Sequence, residues 1–195
     1  VTIKHRIGID DQDSYEEMRD FVGTVADTGC KTFIVHARKA VLQGLSPKEN
    51  RDVPPLRYDD VYRLKQEFPQ LEIIINGGIK THEQIAEIMP HVDGVMLGRE
   101  AYQNPSVLLD ADHLYFGGEK SDISKADRIR AMYPYVEELL GKGASLHYIS
   151  RHTLGLFNGE QGARQYRRFL SENAFKKDSG VEVLEQALSM MESLA

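Results

Sequence analysis

The chain has one cysteine, Cys30, and no run of about 18 apolar residues. A single thiol excludes an internal disulfide framework and fits a reducing compartment. The missing apolar run leaves no expected membrane helix. The opening residues lack the charged, apolar and small-residue progression of a signal peptide, so the cytoplasm is the expected location. Histidines never recur as H-x-x-x-H and cysteines do not cluster, which argues against a metal site. Neither G-x-S-x-G nor G-x-G-x-x-G occurs. Basic excess is absent too: 24 Lys and Arg stand against 30 Asp and Glu, a net charge of −6. A globally basic nucleic-acid binder is thereby excluded, although local patches are not.

What is present, over 195 residues with 41% hydrophobic content, is enough for a packed core. Val1–Ile7 reads as a strand from its first residue, which suggests a piece of a longer protein. Ser14–Thr28 has helical apolar spacing, with Asp13 or Ser14 as cap and Gly29 as stop. Thr32–His36 is a second strand, Tyr58–Phe68 a second helix and Leu71–Ile75 a third strand. Thr81 and Gln84 have capping-box spacing for a helix to Met89. Asp93–Leu97 is a fourth strand, and Pro105 opens or interrupts a short helix to Leu109. Between the second strand and second helix lies a long loop, Ala37–Arg57, of a length that is usually functional. Residues 110–123 read as a linker. Beyond it the pattern is helical only, with a helix from Ser124 kinked at Pro134, then Leu146–Phe157, Gly162–Asn173 and Val181–Leu194.

Strands alternating with helices predict right-handed βαβ units and a parallel sheet. The strands are nearly all apolar, as for strands buried on both faces. Glycines follow the last two strands rather than the first, which favours the C-terminal half of a TIM (β/α)8 barrel over a doubly wound sheet. The expected organisation is therefore an α/β half barrel over 1–112 and a small all-α helical bundle over 120–195. The first strand would form an open sheet edge, through which the chain is expected to self-associate.

Polar residues recur where strands end: Lys4 and Arg6, His36 and Arg38, Asn76, and Arg99. In a parallel sheet these ends lie on one side. Asn76-Gly77-Gly78 and Gly98-Arg99 suit a phosphate cup, because bare glycine backbone lets an anion approach N–H groups and arginine adds charge. Lys4 is either a snorkelling strand-end lysine or a cation beside a ligand ring that gains negative charge. His36 is a donor or acid/base candidate. Cys30 falls at the N-terminal end of its strand, away from the polar ends, and reads as a structural thiol. Residues 36–57 carry a local balance of +3, and so do residues 151–168. Arg164, Arg167 and Arg168 share one helix face, which is either solvated or a backbone-phosphate surface for a polyanion.

The chain resembles the tRNA-dihydrouridine synthases, in particular the A subfamily that acts on D-loop uridines. The matching segments are 1–8 (VTIKHRIG), 35–40 (VHARKA), 44–51 (GLSPKENR), 54–56 (PPL), 76–79 (NGGI), 96–99 (MLGR) and 151–157 (RHTLGLF). The resemblance implies an FMN-containing barrel followed by a helical tRNA-binding domain. By position it implies that Lys4 lies along the flavin ring and that His36 lines the flavin and uracil pocket. Asn76, Gly77, Gly78, Gly98 and Arg99 would hold the flavin phosphate. Arg38, Lys39, Asn50 and Arg51 would meet the target nucleotide, and Arg164, Arg167 and Arg168 the tRNA backbone. In this family NADPH reduces the flavin, which passes a hydride to C6 of an extruded uridine while a cysteine protonates C5.

That cysteine belongs to a segment without a match here, and Cys30 does not correspond to it. No catalytic residue is therefore assigned within the chain, which alone is expected to be inactive and to hold FMN weakly. The full-length enzyme is expected to be a monomer without membrane contact. Two other readings stay open: another FMN-dependent barrel oxidoreductase acting on a small pyrimidine, and a non-catalytic RNA-binding module.

Overall fold

The structure, a computed structural model, describes residues 1–194. The chain divides into two compact units, Val1–Gly98 and Arg99–Ala195. The division falls ahead of the 112–120 boundary read from the sequence.

The first unit alternates strand and helix: β1 (Thr2–Arg6), α1 (Tyr15–Asp27), β2 (Thr32–His36), α2 (Tyr58–Glu67), β3 (Glu72–Asn76), α3 (His82–Ile88) and β4 (Gly94–Met96). All three strand pairings are parallel, in the order β1-β2-β3-β4. Capping boxes start α1 at Ser14 with Glu17, and α3 at Thr81 with Gln84, each closing two otherwise unmet backbone donors. Asp93 fastens the start of β4 to β3: its amide donates to the Ile73 carbonyl (3.0 Å) and its carboxylate accepts from the Ile73 amide (2.8 Å).

Strand register sorts the side chains. Phe33, Val35, Ile73 and Ile75 point to one face and are wholly buried, with Val22, Val61 and Leu64 of the helices also fully buried. Ile34 and Ile74 point to the other face and are only partly covered. The expectation of strands buried on both faces therefore fails on one side. An apolar run shows that a strand is apolar, not that both its faces are sealed.

The second unit is helical: α4 (Arg99–Gln103), α5 (Ala111–Tyr115), α6 (Lys125–Arg130), α7 (Tyr133–Gly141), α8 (Leu146–Ser150), α9 (Ala163–Asn173) and α10 (Val181–Glu192). Its core includes Ile129, Val136, Leu146, Phe157, Tyr166, Leu170, Leu184 and Leu188. Several sequence expectations are corrected here. Pro134 sits in the first turn of α7, so the expected kinked helix is two helices. The helix expected over 146–157 stops at Ser150 and gives way to turns that carry Gly155. A Cβ at Gly155 would lie 2.1 Å from the Gln103 carbonyl oxygen, so this turn packs backbone against backbone. The supposed linker contains α5, while Pro105 does open a short helix, of 3-10 type, over Pro105–Leu108.

Candidate functional site

The register brings the polar strand ends together. Arg6, His36, Asn76 and Met96 are consecutive partners across the sheet, at the C-terminal ends of the four strands. Lys4 lies two residues back on the same face, in line with Ile34, Ile74 and Gly94. Lys4, Arg6, His36 and Asn76 thus share the face that the helices leave open. Partial loss of hydration, and then the charge of Arg6, hold the Lys4 ammonium below its usual pKa. Desolvation, followed by the charges of Arg38 and Arg51, lowers that of Arg6. These cations repel one another, and an anion on this face relieves that repulsion.

At the end of β3, Asn76 donates through its side-chain amide to the Met96 carbonyl (2.8 Å), tying β3 to β4. Gly77 (φ 125°) and Gly78 (φ 70°) then turn the chain. A Cβ at Gly77 would lie 2.9 Å from His36 Cδ2, and one at Gly78 2.8 Å from Leu56 Cδ1. Both positions therefore require glycine for conformation and for space. The Tyr58 hydroxyl donates to the Gly77 carbonyl. Among the described residues, no backbone carbonyl outside the strands and helices accepts from the amides of Gly77, Gly78 or Gly98. A Cβ at Gly98 would meet nothing within 4 Å, so this glycine borders open space. Arg99 follows as the first residue of α4.

The long loop is a braced excursion. It returns at Arg57, whose amide donates to the Ala37 carbonyl (2.9 Å). Arg6 donates through Nη1 to the carbonyls of Lys39 and Asn50, both at 2.8 Å. The Asn50 side chain accepts from the Val41 amide (2.7 Å) and donates to its carbonyl (2.6 Å). Arg38 donates to the carbonyls of Asp52 and Pro54. Lys39 reaches the Asp10 carbonyl (2.9 Å) and the Asp13 carboxylate (3.2 Å). Arg51 ends a short 3-10 turn, Glu49–Arg51, with an exposed side chain. Arg38 and Asn50 hold the loop's own backbone and Lys39 ties it to the β1–α1 connection, tasks for which sequence carries no signal. Arg6, noted only as a strand-end polar residue, is the brace that joins the loop to the sheet.

Cys30 lies just before β2, with Sγ 3.6 Å from the Thr32 carbonyl and 3.8 Å from that of Val1, at the end of the sheet opposite the polar row.

The family model described as dihydrouridine synthase matches residues 1–192. The chain belongs to the dihydrouridine synthase family. Its curated relatives in that family include proteins named tRNA-dihydrouridine(20/20a) synthase. The one from Salmonella typhimurium is 57% identical over 192 residues, covering 98% of this chain and 58% of that protein. The one from Escherichia coli K12 is 56% identical, covering 98% and 56%. The one from Shewanella oneidensis is 53% identical over 193 residues, covering 99% and 58%. The chain thus spans less than two thirds of the length of these dihydrouridine synthases.

In the helical unit, the three arginines read as an RNA face differ in their partners. Arg168 pairs with Glu172 (2.7 Å), Arg167 donates to the Asn158 side-chain oxygen (2.8 Å), and Arg164 is exposed.

Proposed function

We propose that the chain is the flavin-phosphate and tRNA-binding part of an enzyme that reduces D-loop uridines of tRNA to 5,6-dihydrouridine, using FMN and NADPH. The observation that carries this reading is the Arg6–His36–Asn76 row, with Lys4 behind it, on the open face of a parallel sheet at its C-terminal strand ends. Ligand sites in parallel α/β folds lie at those ends. We take the sheet as half of a (β/α)8 barrel, and the helical unit as the domain that meets tRNA.

The residues present fit FMN. Among the described residues, the amides of Gly77, Gly78 and Gly98 have no backbone partner outside the strands and helices, which suits a phosphate, and Arg99, next in the chain, adds charge. When bound, the flavin supplies the hydride equivalent that reduces the pyrimidine C5–C6 bond. The Lys4 ammonium would stabilise negative charge on a bound flavin ring, and the neighbouring Arg6 would strengthen the local positive potential. His36, held against Gly77, donates to or orients the ligand. Arg6 keeps the loop of Arg38, Lys39, Asn50 and Arg51 in shape beside the target nucleotide. Arg164, Arg167 and Arg168 contact tRNA backbone.

Cys30 lies at the far end of the sheet and does not serve as the acid for C5. The 195-residue chain alone is therefore inactive, and its open β1 edge favours self-association. The test is dihydrouridine formation in tRNA, measured by mass spectrometry, with NADPH and FMN. Protein from the complete reading frame that contains these residues should form dihydrouridine, and the 195-residue chain should not. Product from the isolated chain, or none from the complete protein, would overturn the reading.

A further inference from the structure

The helical unit contains a second candidate site, to which α9 contributes no lining residue. A groove of about 430 Å³ is lined by Pro105, Arg128, Met132, Tyr135, Tyr148 and His152, with Thr153 and further apolar residues completing it. That volume lies within the range of small-molecule pockets, roughly 300–1,000 Å³. Tyr135 on α7 is 55% exposed and Tyr148 on α8 is 60% exposed. Two tyrosines exposed to this extent along one groove do not complete a core. They offer flat, polarisable surface to something outside it.

The charges of the groove have one sign. Arg128 lines it, and no carboxylate does. The Arg128 guanidinium donates through Nη2 to Ser121 Oγ (2.8 Å), while its buried Nε has no hydrogen-bond partner among the described residues. A full positive charge on the groove wall with no carboxylate beside it favours a ligand that is anionic or a strong acceptor. Arg151 sits at the rim, its guanidinium carbon 5.7 Å from the centre of the Tyr148 ring, within cation–π range.

A hydrogen-bond chain fixes this rim. Arg151 Nε donates to His152 Nε2 (3.2 Å), which must then be the unprotonated nitrogen. His152 Nδ1 therefore carries the proton and donates to the Tyr102 hydroxyl (2.9 Å). The Tyr102 O–H is left to donate outward.

We propose that this groove binds an unstacked nucleotide of single-stranded RNA: the base against Tyr148 and Tyr135, an acceptor atom on Arg128, and a flanking phosphate at Arg151. Exposed tyrosine faces with arginine and no carboxylate are the chemistry of single-strand recognition. A helical peptide would instead need an apolar groove without an unmatched positive charge on its wall. The proposal rests on the reading of the chain as an RNA-binding protein, and it adds a base-recognising site to backbone contacts.

The chain contains no tryptophan, so Tyr148→Trp introduces a single reporter. The probe is an unstructured oligouridylate of about ten nucleotides, within the range of single-strand sites. The oligouridylate should quench the fluorescence of the introduced tryptophan, and an abasic strand of equal length and charge should not. Tyr148→Ala should weaken oligouridylate binding by about ten-fold, while Tyr148→Phe restores it. Arg151→Ala should weaken both strands and reduce the salt dependence. Equal binding of the abasic strand, unchanged affinity in Tyr148→Ala, or no binding by the wild-type chain would each overturn the proposal. Should the complete protein form dihydrouridine while Tyr148→Ala binds normally, the groove assignment falls and the enzymatic reading stands.

Discussion

Arg6 and Arg38 of the α/β unit and Arg130 and Arg168 of the helical unit are used in opposite ways. In the α/β unit, Arg6 and Arg38 turn inward, and their partners are backbone carbonyls of the loop between β2 and α2. In the helical unit, Arg168 pairs with a carboxylate on its own helix surface, and Arg130 gathers Glu185, Glu192 and Asp127. An arginine bonded to carbonyls keeps its full charge, because carbonyls are dipoles and not counter-ions. Rigidity and positive potential therefore coincide at the strand ends. An arginine matched by a carboxylate contributes little field, so Arg151 and Arg128, which have no carboxylate in their groove, are the more telling cations of the second unit.

The glycines sharpen the same contrast between framework and site, and they carry the largest expected effect. Gly77→Ala places a methyl group against His36 and Leu56 at a positive φ, and should destabilise the first unit by about 2–4 kcal/mol in urea denaturation. Next comes the brace. Arg6→Met removes two charge-assisted bonds to Lys39 and Asn50, and should cost about 2–3 kcal/mol. It should also open the 37–57 loop to limited proteolysis. Arg168→Met in the helical unit should leave the unfolding midpoint in place, since its pair with Glu172 is exposed. Equal effects of the two substitutions would erase the distinction between brace and surface pair.

The smallest effect concerns His5. Burial between Phe21 and Phe33 lowers its pKa below 6.5, against a smaller opposing contribution from its bond to the Arg6 carbonyl. The unfolded chain then binds more protons than the folded one in the window just below 6.5, so stability falls as pH drops through it. Well above 6.5 the imidazole is neutral in both states and adds no pH dependence. His5→Phe should flatten the change in denaturation midpoint between neutral and mildly acidic pH. An unchanged slope would show that His5 is not its source.

Much of this fold was legible in local sequence. Capping residues, the β/α alternation and the glycine pair after β3 each act within a few residues of themselves. The convergence of strand ends also followed, since parallel strands place every C-terminal end on one side. What local sequence could not carry was the identity of partners. The acceptors of Arg6 lie 33 and 44 residues away and are backbone atoms, available at any residue type. The roles of Leu56 and Tyr58 in covering Gly77 and Gly78 depend on where the loop returns. The break between α6 and α7, and the short α4 and α5, lie in segments whose helical spacing is too brief to register. The aromatic groove escaped notice because its residues come from three stretches of the chain, at 105, 128–135 and 148–156.

The most direct test of the central claim, that the open strand ends hold the flavin phosphate, is flavin content after Gly98→Val in protein from the complete reading frame. The Gly98 position is unstrained and borders open space, so the variant should fold with an unchanged denaturation midpoint. With a phosphate at the neighbouring amides, the added side chain should expel it, and the purified protein should lose most of its flavin absorbance. Full flavin content in a folded Gly98→Val protein would contradict the assignment.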